Sequence, residues 1–164
     1  MNNLAIIIST KNNSKLIERI FSYYSSLNFR GTIYIGDASE EKIHNEIKKN
    51  LKKFQKKIKI KLFHFPEYNQ KFLYGQSTKK LLSFVKEEYC VKTGDDDFLI
   101  IKNVNKCINF LNDNQDYSSA FGRTRQMLIS SEYNKCKFTD YFNKFRGYTN
   151  DQVIDRFSSF INNY

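Results

Sequence analysis

Tyr89-Cys90-Val91-Lys92-Thr93-Gly94-Asp95-Asp96-Asp97-Phe98-Leu99-Ile100-Ile101 is the stretch whose reading decides the fold. A short strand-like run enters, Gly94 breaks it, and three consecutive carboxylates follow before the sequence turns apolar again. Adjacent carboxylates repel one another. Their hard oxygen atoms suit a divalent cation such as Mg²⁺ or Mn²⁺, shared with a phosphate. Asp is also favoured at turns and helix N-caps, so a solvated turn opening the next helix is the competing reading of the triplet alone. Its place in the chain has to decide.

Upstream, Leu4-Ala5-Ile6-Ile7-Ile8-Ser9 is a continuous apolar run, as expected of a strand buried on both faces of a parallel sheet. Thr10-Lys11-Asn12-Asn13-Ser14 is a polar loop in which Asn13 or Ser14 is placed to cap a helix with Leu16, Ile17, Ile20, Phe21, Tyr24 and Leu27 on one stripe. After Gly31, Thr32-Ile33-Tyr34-Ile35 reads as a second strand ending in Gly36-Asp37-Ala38-Ser39. Ala38 or Ser39 then opens a helix with Glu40 and Glu41 in its first turn and Ile43, Ile47 and Leu51 as its stripe. The partly alternating Ile58 to Phe65, stopped by Pro66, predicts a third strand nearer the sheet edge.

A helix with Leu81, Leu82 and Val85 leads to the fourth strand, which delivers the triplet. A helix with Val104, Cys107, Ile108 and Leu111 follows, then a fifth strand from Tyr117 to Phe121, closed by Gly122. From Arg123 to Tyr148 no period is clean. Thr149-Asn150-Asp151-Gln152 fits a capping box for a final helix carrying Val153, Ile154, Phe157, Phe160 and Ile161.

Alternating strands and helices predict an α/β fold, a mostly parallel sheet flanked by helices, in one domain of residues 1–164. Ligands of such sheets bind beyond the carboxyl ends of the strands, where the strand order reverses. Thr10 and Lys11 follow the first strand, Asp37 the second, Glu67 and Tyr68 the third and the triplet the fourth. That convergence favours a ligand site over a capping turn.

Composition bounds the partners. The chain is globular material, with 40% hydrophobic and 16% aromatic residues. Its apolar runs are too short to span a bilayer and its start does not resemble a signal peptide, so the expected location is the cytoplasm. Cys90, Cys107 and Cys136 form neither a zinc pattern nor a disulfide framework and read as structural thiols. Much of the net charge of +10 sits in Lys48, Lys49, Lys52, Lys53, Lys56, Lys57, Lys59 and Lys61. Such a run is a solvated face or a contact with anionic lipid at the inner face of the membrane. Arginines are few and no nucleic-acid module is present, so no nucleic-acid partner is expected.

The chain has neither Gly-x-Gly-x-x-Gly nor a Gly-Lys-Ser/Thr phosphate loop. A carboxylate-held metal can neutralise a diphosphate instead, which suits a nucleotide-sugar donor. At this point the sequence resembles the family-2 glycosyltransferases of GT-A fold. Ile6 to Asn12 is similar to their opening strand and loop, Ile33 to Ser39 to their second strand, and Gly94-Asp95-Asp96-Asp97 to their Asp-x-Asp metal element. The likeness covers roughly residues 4–122, the nucleotide-sugar-binding part, leaving 123–164 as the start of the acceptor part.

The resemblance implies Thr10, Lys11 and Asp37 in the nucleoside pocket and Lys79 or Lys80 near the base. It also implies Asp95, Asp96 and Asp97 around the donor diphosphate and a Mn²⁺ or Mg²⁺ ion. Asp95 and Asp97 are the formal pair, and Asp96 replaces either if the register slips by one. The implied partners are a UDP- or GDP-sugar donor and a saccharide or lipid-linked acceptor. The catalytic base is unassigned; Glu132, Asp140, Asp151 and Asp155 are the carboxylates in the right part of the chain.

The alternatives are a donor-binding module that transfers nothing, a nucleotidyltransferase, whose glycine-rich basic loop is missing here, and a basic nucleic-acid-binding protein. His44, in a charged helical neighbourhood, reads as solvated, and His64, between aromatics on a strand, as structural. Tyr133, Phe138, Tyr141, Phe142, Phe145 and Tyr148 read as core cover under a long loop in preference to a sugar-stacking surface.

Overall fold

The computed structural model describes residues 3–69, 74–122, 124–129 and 136–140. The chain divides into two compact units, Met1–Ile108 and Asn109–Tyr164. In the first, strands β1 (Leu4–Thr10), β2 (Thr32–Asp37), β3 (Lys59–His64) and β4 (Tyr89–Thr93) form an all-parallel sheet in the order β3-β2-β1-β4. Helices α1 (Ser14–Ser26), α2 (Glu41–Leu51) and α3 (Tyr74–Leu82) connect them, and α4 (Ile101–Asp113) follows β4. This is an α/β, Rossmann-like arrangement.

The continuous apolar run of β1 is sorted by the pleat. Leu4, Ile6 and Ile8 join Ile33 and Ile35 of β2 on one face, under Ile17, Ile20, Phe21 and Tyr24 of α1 and Ile47 and Leu51 of α2. Ala5 and Ile7 point the other way, joining Tyr34, Phe65 and Leu81 of α3. Fully burying each such aliphatic side chain contributes about 1.5–3 kcal/mol. The distribution of helices follows from the topology. The chain steps outward from β1 to β2 to β3, then returns past β1 to β4. Reversing direction while keeping crossovers of one hand moves the next helix to the opposite face.

Two glycines permit close approach. A Cβ on Gly31 would lie 2.3 Å from the Leu4 carbonyl oxygen and 2.5 Å from the Phe29 ring. One on Gly36 would lie 2.8 Å from Ser77 Oγ and 2.9 Å from Leu81 Cδ1, so Gly36 lets α3 settle directly on β2. On the same face, the Tyr34 hydroxyl donates to Glu87 Oε2 at 2.8 Å and accepts from Lys61 Nζ at 3.0 Å. Desolvation pushes the Glu87 carboxyl upward. Hydrogen bonds from Thr32, Tyr34 and backbone N–H groups outweigh that effect and bring it down to about 2.

Several expectations are corrected. Tyr117 to Phe121 is not a strand: the Tyr117 N–H closes a turn on the Asn114 carbonyl, and Phe121 is 90% exposed. Among the described residues of the second unit the strands are instead β5 (Arg125–Ile129) and β6 (Cys136–Asp140), an antiparallel pair. Val85 lies beyond the end of α3. Cys90 is exposed, whereas Cys107 is half-buried. Asp140 and Phe138 fall on β6. Glu132, Asp151, Asp155, the remaining aromatics from Tyr133 to Tyr148 and the final helix lie outside the described residues.

Candidate functional site

The strand order reverses between β1 and β4, and there the chain ties itself together. Thr10, at the carboxyl end of β1 and 1% exposed, donates its hydroxyl to Asp95 Oδ2 at 2.6 Å. Asn13 Nδ2 donates to the same oxygen at 2.8 Å. Asn13 is the N-cap residue of α1, yet its side chain does not cap that helix; it crosses to the carboxylate instead. Asn12 adopts φ 57°, in the left-handed region that Asn tolerates, and its N–H donates to Ser39 Oγ at 2.7 Å. The first loop is therefore pinned to the end of β2 and to the loop after β4.

The far end of the Asp loop is held by α1. The Tyr23 hydroxyl donates to the Leu99 carbonyl at 3.0 Å, and the Leu99 N–H donates to the Tyr24 hydroxyl at 3.3 Å. Phe98 packs edge-on against Tyr23 with ring centroids 4.8 Å apart, and the Arg19 guanidinium lies 5.5 Å from the Phe98 ring. Burial raises Tyr23 and pushes Tyr24 up to about 12, which keeps both hydroxyls protonated. Beside this anchor, Lys15, Glu18, Arg19, Ser22, Tyr23 and Phe98 line an open depression of about 520 Å³.

Within the triplet the three carboxylates part company. Asp95 is committed to Thr10 and Asn13, whereas Asp96 and Asp97 are exposed. A Cβ on Gly94 would lie 2.7 Å from Asp96 Oδ1 and 2.9 Å from Asp97 Oδ2. These two oxygens thus fold over the space that a side chain at 94 would fill. Carboxylate oxygens of this kind, one or two from the protein with phosphate and water completing the set, are how proteins hold Mg²⁺. Among the described residues no three His, Cys, Asp or Glu side chains gather as a complete cage.

Asp37 lies opposite Thr10 in the β1–β2 register and is 0% exposed. Its Oδ1 accepts the Ser39 N–H at 2.9 Å and the Ser39 hydroxyl, and its Oδ2 accepts from His44 Nδ1 at 2.8 Å. The His44 ring stacks on His64 with centroids 4.0 Å apart and planes 9° from parallel. His64 Nε2 in turn donates to the Ser39 carbonyl at 2.9 Å. His44 is therefore not the solvated helical residue expected: its side chain is 14% exposed, and the buried carboxylate fixes it. The sequence signal was the spacing from a strand-end Asp into the first turn of the next helix.

The hydrogen bonds of Lys11 and Lys80 go to other groups than this junction. Lys11 Nζ donates to the Asn69 carbonyl at 2.5 Å, and Lys79 is exposed. Lys80 Nζ donates to Glu67 Oε1 at 2.8 Å and lies 4.6 Å over the Phe65 ring. Their mutual hydrogen bond lowers the Glu67 pKa and raises that of Lys80. Set against known proteins, the chain matches no protein-family profile and no curated sequence.

Proposed function

We propose that this chain is the donor-binding part of a GT-A-type glycosyltransferase, acting in the cytoplasm, that moves a sugar from a UDP- or GDP-sugar to a saccharide or glycoconjugate acceptor. The observation that supports it best is the Thr10–Asp95–Asn13 clasp in the crevice between β1 and β4, with Asp96 and Asp97 exposed beside it. That crevice is where sheets of this topology receive nucleotides.

In this reading the triplet divides its work. Asp95 positions the loop, and Asp96 and Asp97 are the pair that would hold Mn²⁺ or Mg²⁺, a one-residue slip from the formal Asp95/Asp97 pair. The ion, when bound, supplies Lewis-acid neutralisation of the diphosphate leaving group. Asp37 enters as the buried anchor of Ser39 and His44, so contact with the base or ribose falls to groups that it orients. Anchoring the loop at Asp95 and at Leu99 orders the carboxylates before any donor arrives, which removes an ordering cost from binding.

The test is calorimetric titration of UDP and of GDP in Mn²⁺ and again in EDTA. Binding is expected only with metal, and is expected to vanish in Asp96→Ala/Asp97→Ala while that variant stays folded. No binding of either nucleotide by the folded protein would overturn the proposal, as would binding indifferent to EDTA and to the two carboxylates.

A further inference from the structure

The lysine run identified in the sequence acquires a definite place in the fold, at the end of the sheet opposite the crevice. Phe29 and Arg30 lie one residue before β2, and Gln55 to Ile58 immediately precede β3, which begins at Lys59. Together these residues line an open groove of about 340 Å³. Arg30, Lys56, Lys57 and Lys59 are exposed along it, and Lys48, Lys49 and Lys52 are exposed on and just after α2. Among the described residues none of these seven cations pairs with a carboxylate. The acids of the same region are engaged elsewhere: Glu18 with Lys53 at 2.9 Å and with Asn50, Glu46 with Ser14, Glu87 with Tyr34, and Glu88 with Asn3.

An uncompensated cationic groove calls for an anionic partner, and its surroundings choose among them. The groove offers no exposed ring for a base to stack on, since its aromatic residue, Phe29, is buried. It does have an exposed apolar side chain beside it: Leu27, 47% exposed, on the turn that leads through Asn28, at φ 49°, to Arg30. Clustered cations with an adjacent apolar anchor are the two signals that interfacial binding combines. We infer that this end of the molecule docks on a membrane surface carrying anionic lipid, with Leu27 entering the headgroup layer and Arg30, Lys56, Lys57 and Lys59 against the phosphates. The strands between are six residues long, so docking holds the crevice about 20 Å from that surface. Such a distance favours an acceptor whose reacting hydroxyl stands well clear of the bilayer.

The experiment is co-sedimentation with vesicles of phosphatidylcholine alone and of phosphatidylcholine mixed with phosphatidylglycerol. The expected result is binding to the mixed vesicles only, weakening as salt rises. Each cation removed should weaken partition about fivefold, so Arg30→Gln/Lys56→Gln/Lys57→Gln/Lys59→Gln should reduce it several hundredfold. Leu27→Ser should reduce it about fivefold. The control Lys42→Gln/Lys92→Gln/Lys102→Gln/Lys106→Gln carries the same net charge and should reduce it far less than the groove variant.

Equal losses in the two quadruple variants would reduce the effect to diffuse net charge and overturn the inference. Leu27→Ser binding like the parent would do the same. So would a single-stranded RNA that displaces the protein from vesicles at equal phosphate and loses affinity in the groove variant alone. The outcome is independent of the nucleotide titration, since the two use opposite ends of the sheet.

Discussion

The Thr10–Asp95 contact can be measured as a coupling. At 2.6 Å it has the separation of a charge-assisted O–H···O⁻ bond, and Thr10 is 1% exposed. Hydrogen bonds to charged groups contribute about 1.5–3 kcal/mol. Thr10→Val keeps the shape and removes the donor, leaving Asn13 as the partner of Asp95 Oδ2. The expected loss is about 2 kcal/mol. Asp95→Asn keeps the shape, removes the charge and weakens both contacts, for about 1–2 kcal/mol. If the direct bond carries these losses, the double variant loses about 1–2 kcal/mol less than their sum.

Urea unfolding followed by circular dichroism is the assay, with amide exchange of β1 identifying the transition of the parallel-sheet unit. For a slope of about 2 kcal/mol per molar, Thr10→Val lowers the midpoint by about 1 M. An unchanged midpoint, or losses additive within about 0.3 kcal/mol, would refute the reasoning.

Other perturbations follow from the same geometry. Gly31→Ala places a methyl group 2.3 Å from the Leu4 carbonyl, a backbone atom that cannot yield, and should cost about 3 kcal/mol or more, read as a fall in the urea midpoint. Gly94→Ala collides only with the ends of two exposed side chains, so stability should change by less than about 1 kcal/mol. Mn²⁺ affinity, measured by calorimetry, should fall about tenfold as Asp96 and Asp97 are pushed apart. Glu87 has its folded pKa depressed from 4.5 to about 2, so its stabilisation is complete above pH 4.5 and is lost as the pH falls through that window. Allowing for the solvent that screens this half-buried group, the contribution is about 1–2 kcal/mol. Tyr34→Phe should flatten the dependence of the urea midpoint on pH over the same window.

The parts of the fold legible in the sequence are those in which one physical signal dominates. Leu4 to Ser9 could only be a strand buried on both faces, and the stripe from Leu16 to Tyr24 could only be a helix facing it. Tyr117 to Phe121 misled because apolar residues at its ends flank Ser118 and Ser119, which have nothing to bury; Phe121 stays in water.

The site was legible as a set of strand ends and illegible as a set of partners. Asn13 looked like a cap, since residue type and position both fit, but a carboxylate from a loop 82 residues away competes for its amide. Sequence cannot tell which of three adjacent acids the neighbouring hydroxyl will capture, and here it is Asp95. The pairing of Asp37 with His44 joins a strand end to a helix face, and no single periodicity reports such a pair.

The clasp also bears on the order in which the molecule assembles. Thr10 and Asp95 are 85 residues apart, whereas β1, α1, β2, α2 and β3 form a run of successive local closures. Closing the longer loop loses more chain entropy, so β4 is expected to dock after β1, β2 and β3 have paired. The crevice would then be the last feature gained in folding and the first lost in partial unfolding. Hydrogen exchange should show this as faster opening of the β1–β4 ladder than of the β1–β2 ladder. A ligand seated in the crevice would slow that opening selectively, and equal opening of the two ladders would rule the order out.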